Sequence, residues 1–254
     1  RDSVYTTLTV VALYGNYMLI VMGVQTLMTA MFNSMNAGIG NLVAEGDKRK
    51  IMSVFAELFS IRFLFSCIMC FGVLMITPAF VSFWIGKKYV MDSLSLLLMT
   101  AILFVNLSRT TVDAYINAYG LFGDIWAPIV EASLNVGLSI ILGYYFGLHG
   151  VLSGVLISLL LVVFCWKPYY LFRKGLDERL SIYIFMYARH LMAALLCGVI
   201  VCLGMRYSMV QGDTTFFDGL LGILVFSILS TLTLLCVAPG MRNLMRRFIR
   251  MCHV

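Results

Sequence analysis

Asn106, Arg109, Asp113 and Asn117 interrupt a run that is otherwise apolar. Positions three or four apart share one face of an α-helix. An arginine meets an anion with a planar, permanently charged fork. Asparagines exchange hydrogen bonds with hydroxyl-rich ligands, and a carboxylate carries a proton or a cation. The set suits the binding of a polar ligand rather than bond-making chemistry. No Gly-X-Gly-X-X-Gly, P-loop or His-Glu-X-X-His pattern accompanies it, and no catalytic or metal-ligating set is assigned.

Other apolar runs carry polar positions of their own. Gln25, Thr29, Asn33 and Asn36 fall near one face; Glu57 and Arg62 stand five apart; Glu131, Asn135 and Ser139 repeat every four residues; Lys167 and the Arg189-His190 pair are single interruptions. Plainer uses exist for each. Arg109 and Asp113, four apart, also suit mutual neutralisation within one helix. A lone Asn or Thr suits interhelical hydrogen bonding. Lys167 suits an amine reaching for the membrane surface, Glu57 a wet position near a helix end, and Arg189-His190 a helix-end interface. For Arg109 the ligand-facing use is preferred, because intramembrane charge is costly and turns to a bundle interior or a wet cavity.

The elements that must position these residues are apolar helices. The 254-residue chain is 61% hydrophobic and 12% charged, with a mean hydropathy of +0.96; soluble domains carry about 25% charged residues. This is the composition of a polytopic membrane protein. Seven runs are each able to cross ~30 Å of hydrocarbon with roughly 20 residues: about 10–43, 52–85, 93–119, 125–146, 151–170, 182–205 and 216–237. The runs are continuous rather than alternating, which indicates helices and not barrel strands. The seven cysteines are scattered, and Cys67-Ile-Met-Cys70 reads as packed thiols rather than a redox or metal motif.

The connections give an orientation. One set of ends carries Lys48, Arg49, Lys50, Arg173, Lys174, Arg179, Arg242, Arg246, Arg247 and Arg250; the opposite set, near Lys87, His149 and Gln211, carries only Arg1, Lys87, Lys88 and Arg206. The positive-inside rule makes the first set cytoplasmic. Topology thus explains the net charge of +6 without nucleic acid as a partner. Residues 1–240 read as a transmembrane lobe. Residues 241–254 read as a basic amphipathic cytoplasmic tail, suited to an anionic inner leaflet or simply to a frayed basic end. The opening Arg1 and the external start suggest a fragment that lacks an upstream half.

The order of several features resembles a known family. Val10-Val-Ala-Leu-Tyr14-Gly-Asn16-Tyr17 opens a long helix that closes at Ala44-Glu-Gly46-Asp47-Lys48. Phe83-Trp84-Ile85-Gly86-Lys87-Lys88-Tyr89, the Asn117-Ala-Tyr-Gly120 turn and Gly147-Leu-His-Gly150-Val-Leu-Ser-Gly154 follow. Over residues 2–175 this resembles the C-terminal half of a Wzx-type polysaccharide flippase, of the multidrug/oligosaccharidyl-lipid/polysaccharide exporter superfamily. The resemblance implies an all-α bundle of about seven spans, one lobe of a two-lobed MATE-like transporter of the bacterial inner membrane. Its cargo would be oligosaccharide on undecaprenyl diphosphate, moved to the periplasmic leaflet, with other polysaccharide assembly proteins as partners. Arg109 would be the anion contact, with Arg62 second. Asn106, Asn117, Asn33, Asn36 and Asn135 would meet sugar hydroxyls. Asp113, Glu131 or Glu57 would carry a coupling H+ or Na+, with no other cofactor. A cation-coupled multidrug exporter is the nearest rival. A membrane polysaccharide polymerase or ligase is a rival of another class, weakened by short external connections that leave no large loop to close an active site.

Overall fold

The computed structural model describes residues 2–209 and 216–252. They form an all-α bundle. Helix α1 (Asp2–Glu45) runs 44 residues and ends at Gly46, whose φ of 75° turns the chain back. Asp47 then caps α2 (Lys48–Trp84), its carboxylate accepting from the backbone N–H of Arg49 and Lys50. Such a cap satisfies donors that the first helical turn leaves unpaired. Phe80, Phe83 and Trp84 crowd the far end of α2 and are exposed, as aromatic residues are at a membrane interface.

Gly86 (φ 110°) and a short turn lead to α3 (Ser93–Ser108). Asp92 caps α3 by accepting from the Ser95 N–H and also contacts the His149 ring at 2.7 Å. Burial alone would raise its carboxyl pKa, but these two contacts win and hold it at about 2. The chain breaks at Arg109 and continues as α4 (Thr110–Ala118). The break has a local cause: Ser108 Oγ bonds the Val105 carbonyl and Thr110 Oγ1 the Leu107 carbonyl, and hydroxyls that bond back into their own helix bend it.

Helix α5 (Trp126–Leu159) is two antiparallel legs. Gly147 adopts φ 59° and ψ −135° and reverses the chain there. Across the reversal, Ser139 Oγ reaches the Val151 carbonyl at 3.3 Å. Gly150 and Gly154 let the legs touch backbone to backbone: a Cβ on Gly150 would stand 1.9 Å from the Leu142 carbonyl oxygen. A π-helical stretch (Leu160–Trp166), a single turn α6 (Lys167–Leu171) and a second π stretch (Phe172–Leu176) follow. Asp177 (φ 55°) ends this segment and pairs with Lys48 at 2.9 Å. The two charges are mutual and exposed, with the Asp177 pKa lowered and the Lys48 pKa raised by their hydrogen bond. The bundle is completed by α7 (Leu180–Met209), α8 (Phe216–Val237) and α9 (Pro239–Cys252).

Six helical stretches among the described residues are long and apolar enough to cross a membrane. The longest, Trp126–Leu176, is the one folded at Gly147, so its legs account for the fourth and fifth apolar runs of the sequence. The chain is a multi-pass membrane protein. Its outer surface agrees with this: Leu195, Val199 and Leu203 of α7 and Leu221, Leu224 and Ile228 of α8 are each more than half exposed, which a water-soluble monomer rarely tolerates.

Helix α2 is the centre, packed against α1, α3, α4, α7, α8 and α9. Its aromatic face builds the main core. Phe55, Phe59 and Phe63 meet Tyr115, Phe172, Tyr183 and Tyr187 edge-on or tilted at 5.0–6.0 Å. Each such pair adds about 0.5–1.5 kcal/mol beyond the area it buries. Cys67 and Cys70 are buried free thiols. His190, expected at a helix-end interface, is instead fully buried: one ring nitrogen donates to the Met186 carbonyl (2.7 Å) and the other meets Ser60 Oγ (2.9 Å). Its companion Arg189 remains half-buried on the surface of α7. The connection around Gln211 lies outside the described residues.

Candidate functional site

Two charged assemblies stand side by side in the bundle. The first gathers around Arg109 at the α3–α4 break. Its Nε lies 3.4 Å from Asp113 Oδ2 and its Nη1 3.8 Å from Glu131 Oε1 on the first leg of α5. Lys167 Nζ donates to the other Asp113 oxygen at 2.7 Å. Two cations face two carboxylates, so the cluster carries no net charge.

Lys167 was expected to reach for the membrane surface; it turns inward to Asp113. The π stretch before it explains the difference. Each π turn inserts an extra residue and rotates the residues after it, so Lys167 does not point where a regular helix would place it.

The second assembly belongs to Arg62, which is 2% exposed. Its Nη1 donates to the Thr110 carbonyl at 3.0 Å. Its Nη2 donates to Asn36 Oδ1 at 3.2 Å and to the Phe32 carbonyl at 3.4 Å. The guanidinium also sits over the Phe32 ring, 5.3 Å from its centre. All these acceptors are neutral. No carboxylate pairs with Arg62 among the described residues, and its Nε is buried without a partner. An arginine has five N–H donors, so this one holds an uncompensated charge and unspent donors.

Arg62 lines a cavity of about 200 Å³ together with Met28, Thr29, Phe32, Asn33, Asn36, Leu107, Thr110, Asp113, Ala114 and Asn117. Asn33, Asn36 and Asn117 are exposed at its mouth. Asn36 Nδ2 donates to Asn33 Oδ1 at 3.2 Å, which orients both amides.

Of the ten candidate residues, Asn33, Asn36, Arg62, Asp113 and Asn117 thus line one cavity. Arg109 and Glu131 adjoin it through Asp113. Asn106 is half-buried and spends its amide on the Ile102 carbonyl of its own helix (3.1 Å). Asn135 accepts from Ser139 at 3.1 Å, further along α5. Glu57 lies elsewhere, buried and bonded to Ser53, with Arg247 Nη2 3.3 Å away. Lys167 and Thr110 join the site without having been assigned to it.

Magnitudes separate the two arginines as anion contacts. Opposite charges about 4 Å apart interact by about 4 kcal/mol, in gross Coulomb terms, at an effective dielectric near 20. An anion approaching Arg109 must displace a carboxylate held by an interaction of that order. At Arg62 no carboxylate is held in contact among the described residues: Asp113, on the same cavity, is engaged by Arg109 and Lys167.

Comparison with known protein families, with curated proteins and with solved structures gives no match. The reading of the site therefore stands on its own geometry.

A second cavity is larger, about 530 Å³, between α2, α3, α7 and α8. Cys67, Cys70, Phe71, Phe104, Leu195 and Phe226 are among its walls, and none of its lining residues is charged. Size alone would favour it, but an anion finds nothing there to bind.

Proposed function

We propose that the chain is one lobe of a membrane transporter that carries an anionic, sugar-bearing lipid across the bilayer, with Arg62 as the contact for its phosphate group. The observation that carries the reading is the uncompensated, buried guanidinium on an asparagine-lined cavity within a membrane bundle. Burying a cation without a partner is costly, so a ligand that supplies the missing charge stabilises the site. Arginine binds phosphate oxygens with charge-assisted, often bidentate hydrogen bonds. Asn33, Asn36 and Asn117 are placed to meet neighbouring hydroxyls.

The cavity's size narrows the proposal. Ligand pockets commonly span about 300–1,000 Å³, and 200 Å³ accommodates a charged group rather than an oligosaccharide. The rest of the binding surface would come from a facing lobe, covering the polar mouth at Asn33, Asn36 and Asn117. Undecaprenyl-diphosphate-linked oligosaccharide, carried from the cytoplasmic to the periplasmic leaflet of a bacterial inner membrane, is the cargo proposed. The basic ends, including the C-terminus, would be cytoplasmic. Arg109, Asp113, Glu131 and Lys167 would form the neutral hinge beside the site. A cation-coupled drug exporter would want a free carboxylate at the cavity, whereas Asp113 is already met by two cations.

The test is translocation of lipid-linked oligosaccharide by the full-length protein in proteoliposomes. A hydrogen bond to a charged group is worth roughly 1.5–3 kcal/mol. Arg62→Gln should therefore lower translocation about 10–100-fold, and Arg62→Lys, which keeps the charge without the fork, should lose less. Arg109→Gln should affect folding more than cargo affinity. Unchanged translocation by a folded Arg62→Gln protein would remove the proposed contact.

A further inference from the structure

Helix α9 is amphipathic, and its position in the bundle says what its basic face meets. Arg242, Arg246 and Arg250 are four apart and share one side; Met241, Met245 and Phe248 lie on the other. Met241 and Leu244 pack onto Leu64, Ala193 and Leu234. Met245, Phe248 and Ile249 remain exposed beyond them.

The depth of α9 follows from α8, which runs antiparallel to α2. Gly219 of α8 lies against Met75, Phe226 stacks on Phe71 at 4.2 Å, and Leu234 clusters with Leu64. Helix α8 has 22 residues and, past Asp218 in its first turn, carries no charged residue up to Val237, the length of a single membrane crossing. Its end at Val237 therefore marks the edge of the hydrocarbon, level with the stretch of α2 around residues 57–61. The turn is locked there: a Cβ on Gly240 would stand 2.3 Å from the Ala56 carbonyl oxygen and 2.7 Å from Ser60 Oγ. Arg247 pins the next turns of α9 to Glu57 at 3.3 Å.

The same level holds more positive charge. Arg189 of α7 stands one position before His190, the buried partner of Ser60, on its side toward the basic end. The Arg189 Nε is buried without a hydrogen-bond partner. Arg242, Arg246 and Arg250 are exposed, and no carboxylate pairs with any of these four arginines among the described residues. Four arginines at a membrane edge without a paired carboxylate, one with an unspent donor, call for an anion.

We propose that Arg189, Arg242, Arg246 and Arg250 bind the headgroup phosphates of anionic phospholipids, with Met245, Phe248 and Ile249 seated among the upper acyl carbons. The helix lies in the leaflet's interfacial plane as an anchor that fixes the depth of α2. Lipid is chosen over an acidic protein because the site sits at the hydrocarbon edge and offers apolar contacts beside the charges. The proposal does not depend on the identity of any transported cargo.

The experiment places the full-length protein in nanodiscs of phosphatidylcholine containing either brominated phosphatidylglycerol or brominated phosphatidylcholine. Phe248→Trp supplies the reporter, and the signal of the parent protein is subtracted. Stronger quenching by the brominated anionic lipid is the expected result. A basic residue near a charged leaflet is worth about a fivefold preference, so Arg242→Gln and Arg246→Gln together should erase most of the difference. Lysine at both positions should retain it, with helix content unchanged by circular dichroism. Equal quenching by the two lipids, or a glutamine variant as selective as its parent, would overturn the assignment. Gly240→Val should release α9 from α2 and lower quenching by both lipids; an unchanged signal would refute the docked depth.

Discussion

Asp113 receives two cations, and that fixes how its loss should be felt. Lys167 and Arg109 both lean on it, at 2.7 Å and 3.4 Å, and each is less than a third exposed. Removing one member of a buried ionic set leaves the others uncompensated, at a cost of roughly 3–5 kcal/mol. Asp113→Asn should therefore lower the unfolding temperature in detergent. Lys167→Met in the same protein should recover much of the loss, because it removes the cation left behind. A double-mutant cycle read by thermal unfolding measures the coupling; additive effects would mean that the two side chains do not interact. Half of this cluster was legible in the sequence, since Arg109 and Asp113 are four apart on one helix. Lys167 was not, because a π-helical stretch breaks the period on which such counting rests. The weight given to Arg109 over Arg62 has the same origin. Spacing reveals which polar residues share a helix face, but not that Glu131 comes across from another helix to neutralise one of the two arginines.

At the level of elements, the α5 hairpin separates two ways in which glycine is required. Gly147 has open space where a Cβ would stand but adopts φ 59°, ψ −135°, a conformation strained for other residues by about 1–3 kcal/mol. Gly150 lies in the second leg, yet a Cβ there would meet the Leu142 carbonyl oxygen at 1.9 Å. Gly147→Ala should thus be a moderate loss with the legs still packed, whereas Gly150→Val should pry them apart. Thermal unfolding gives the ranking. Equal losses, or Gly147→Ala as the worse of the two, would contradict this division. The sequence marked both glycines as part of one motif and placed a boundary between the fourth and fifth apolar runs there. It did not distinguish a turn from a close approach, because that depends on which backbone atoms the other leg brings near.

For the molecule as a whole, seven apolar runs and their helical character follow from composition and run length, since a bilayer leaves few other ways to satisfy the backbone. Which faces of those helices meet lipid, protein or water is a packing result that no single run contains. The surface divides into kinds. Helices α7 and α8 turn bare aliphatic rows outward, with Ile228 61% exposed. The mouth beside Arg62 turns out amides instead, and an amide facing hydrocarbon lacks the partners that water or a facing lobe would give it. Thiol accessibility separates the two environments. In full-length protein freed of its native cysteines, Asn33→Cys and Asn117→Cys should react with a membrane-impermeant thiosulfonate reagent, and Ile228→Cys should stay unreactive because thiolate does not form in hydrocarbon. Reagent added from the side carrying Lys48 and Asp177 should reach the first two, and a saturating anionic cargo should slow them. If Asn33→Cys proves as inert as Ile228→Cys from both sides, the amide-lined mouth faces lipid, and a wet passage leading to Arg62 does not exist.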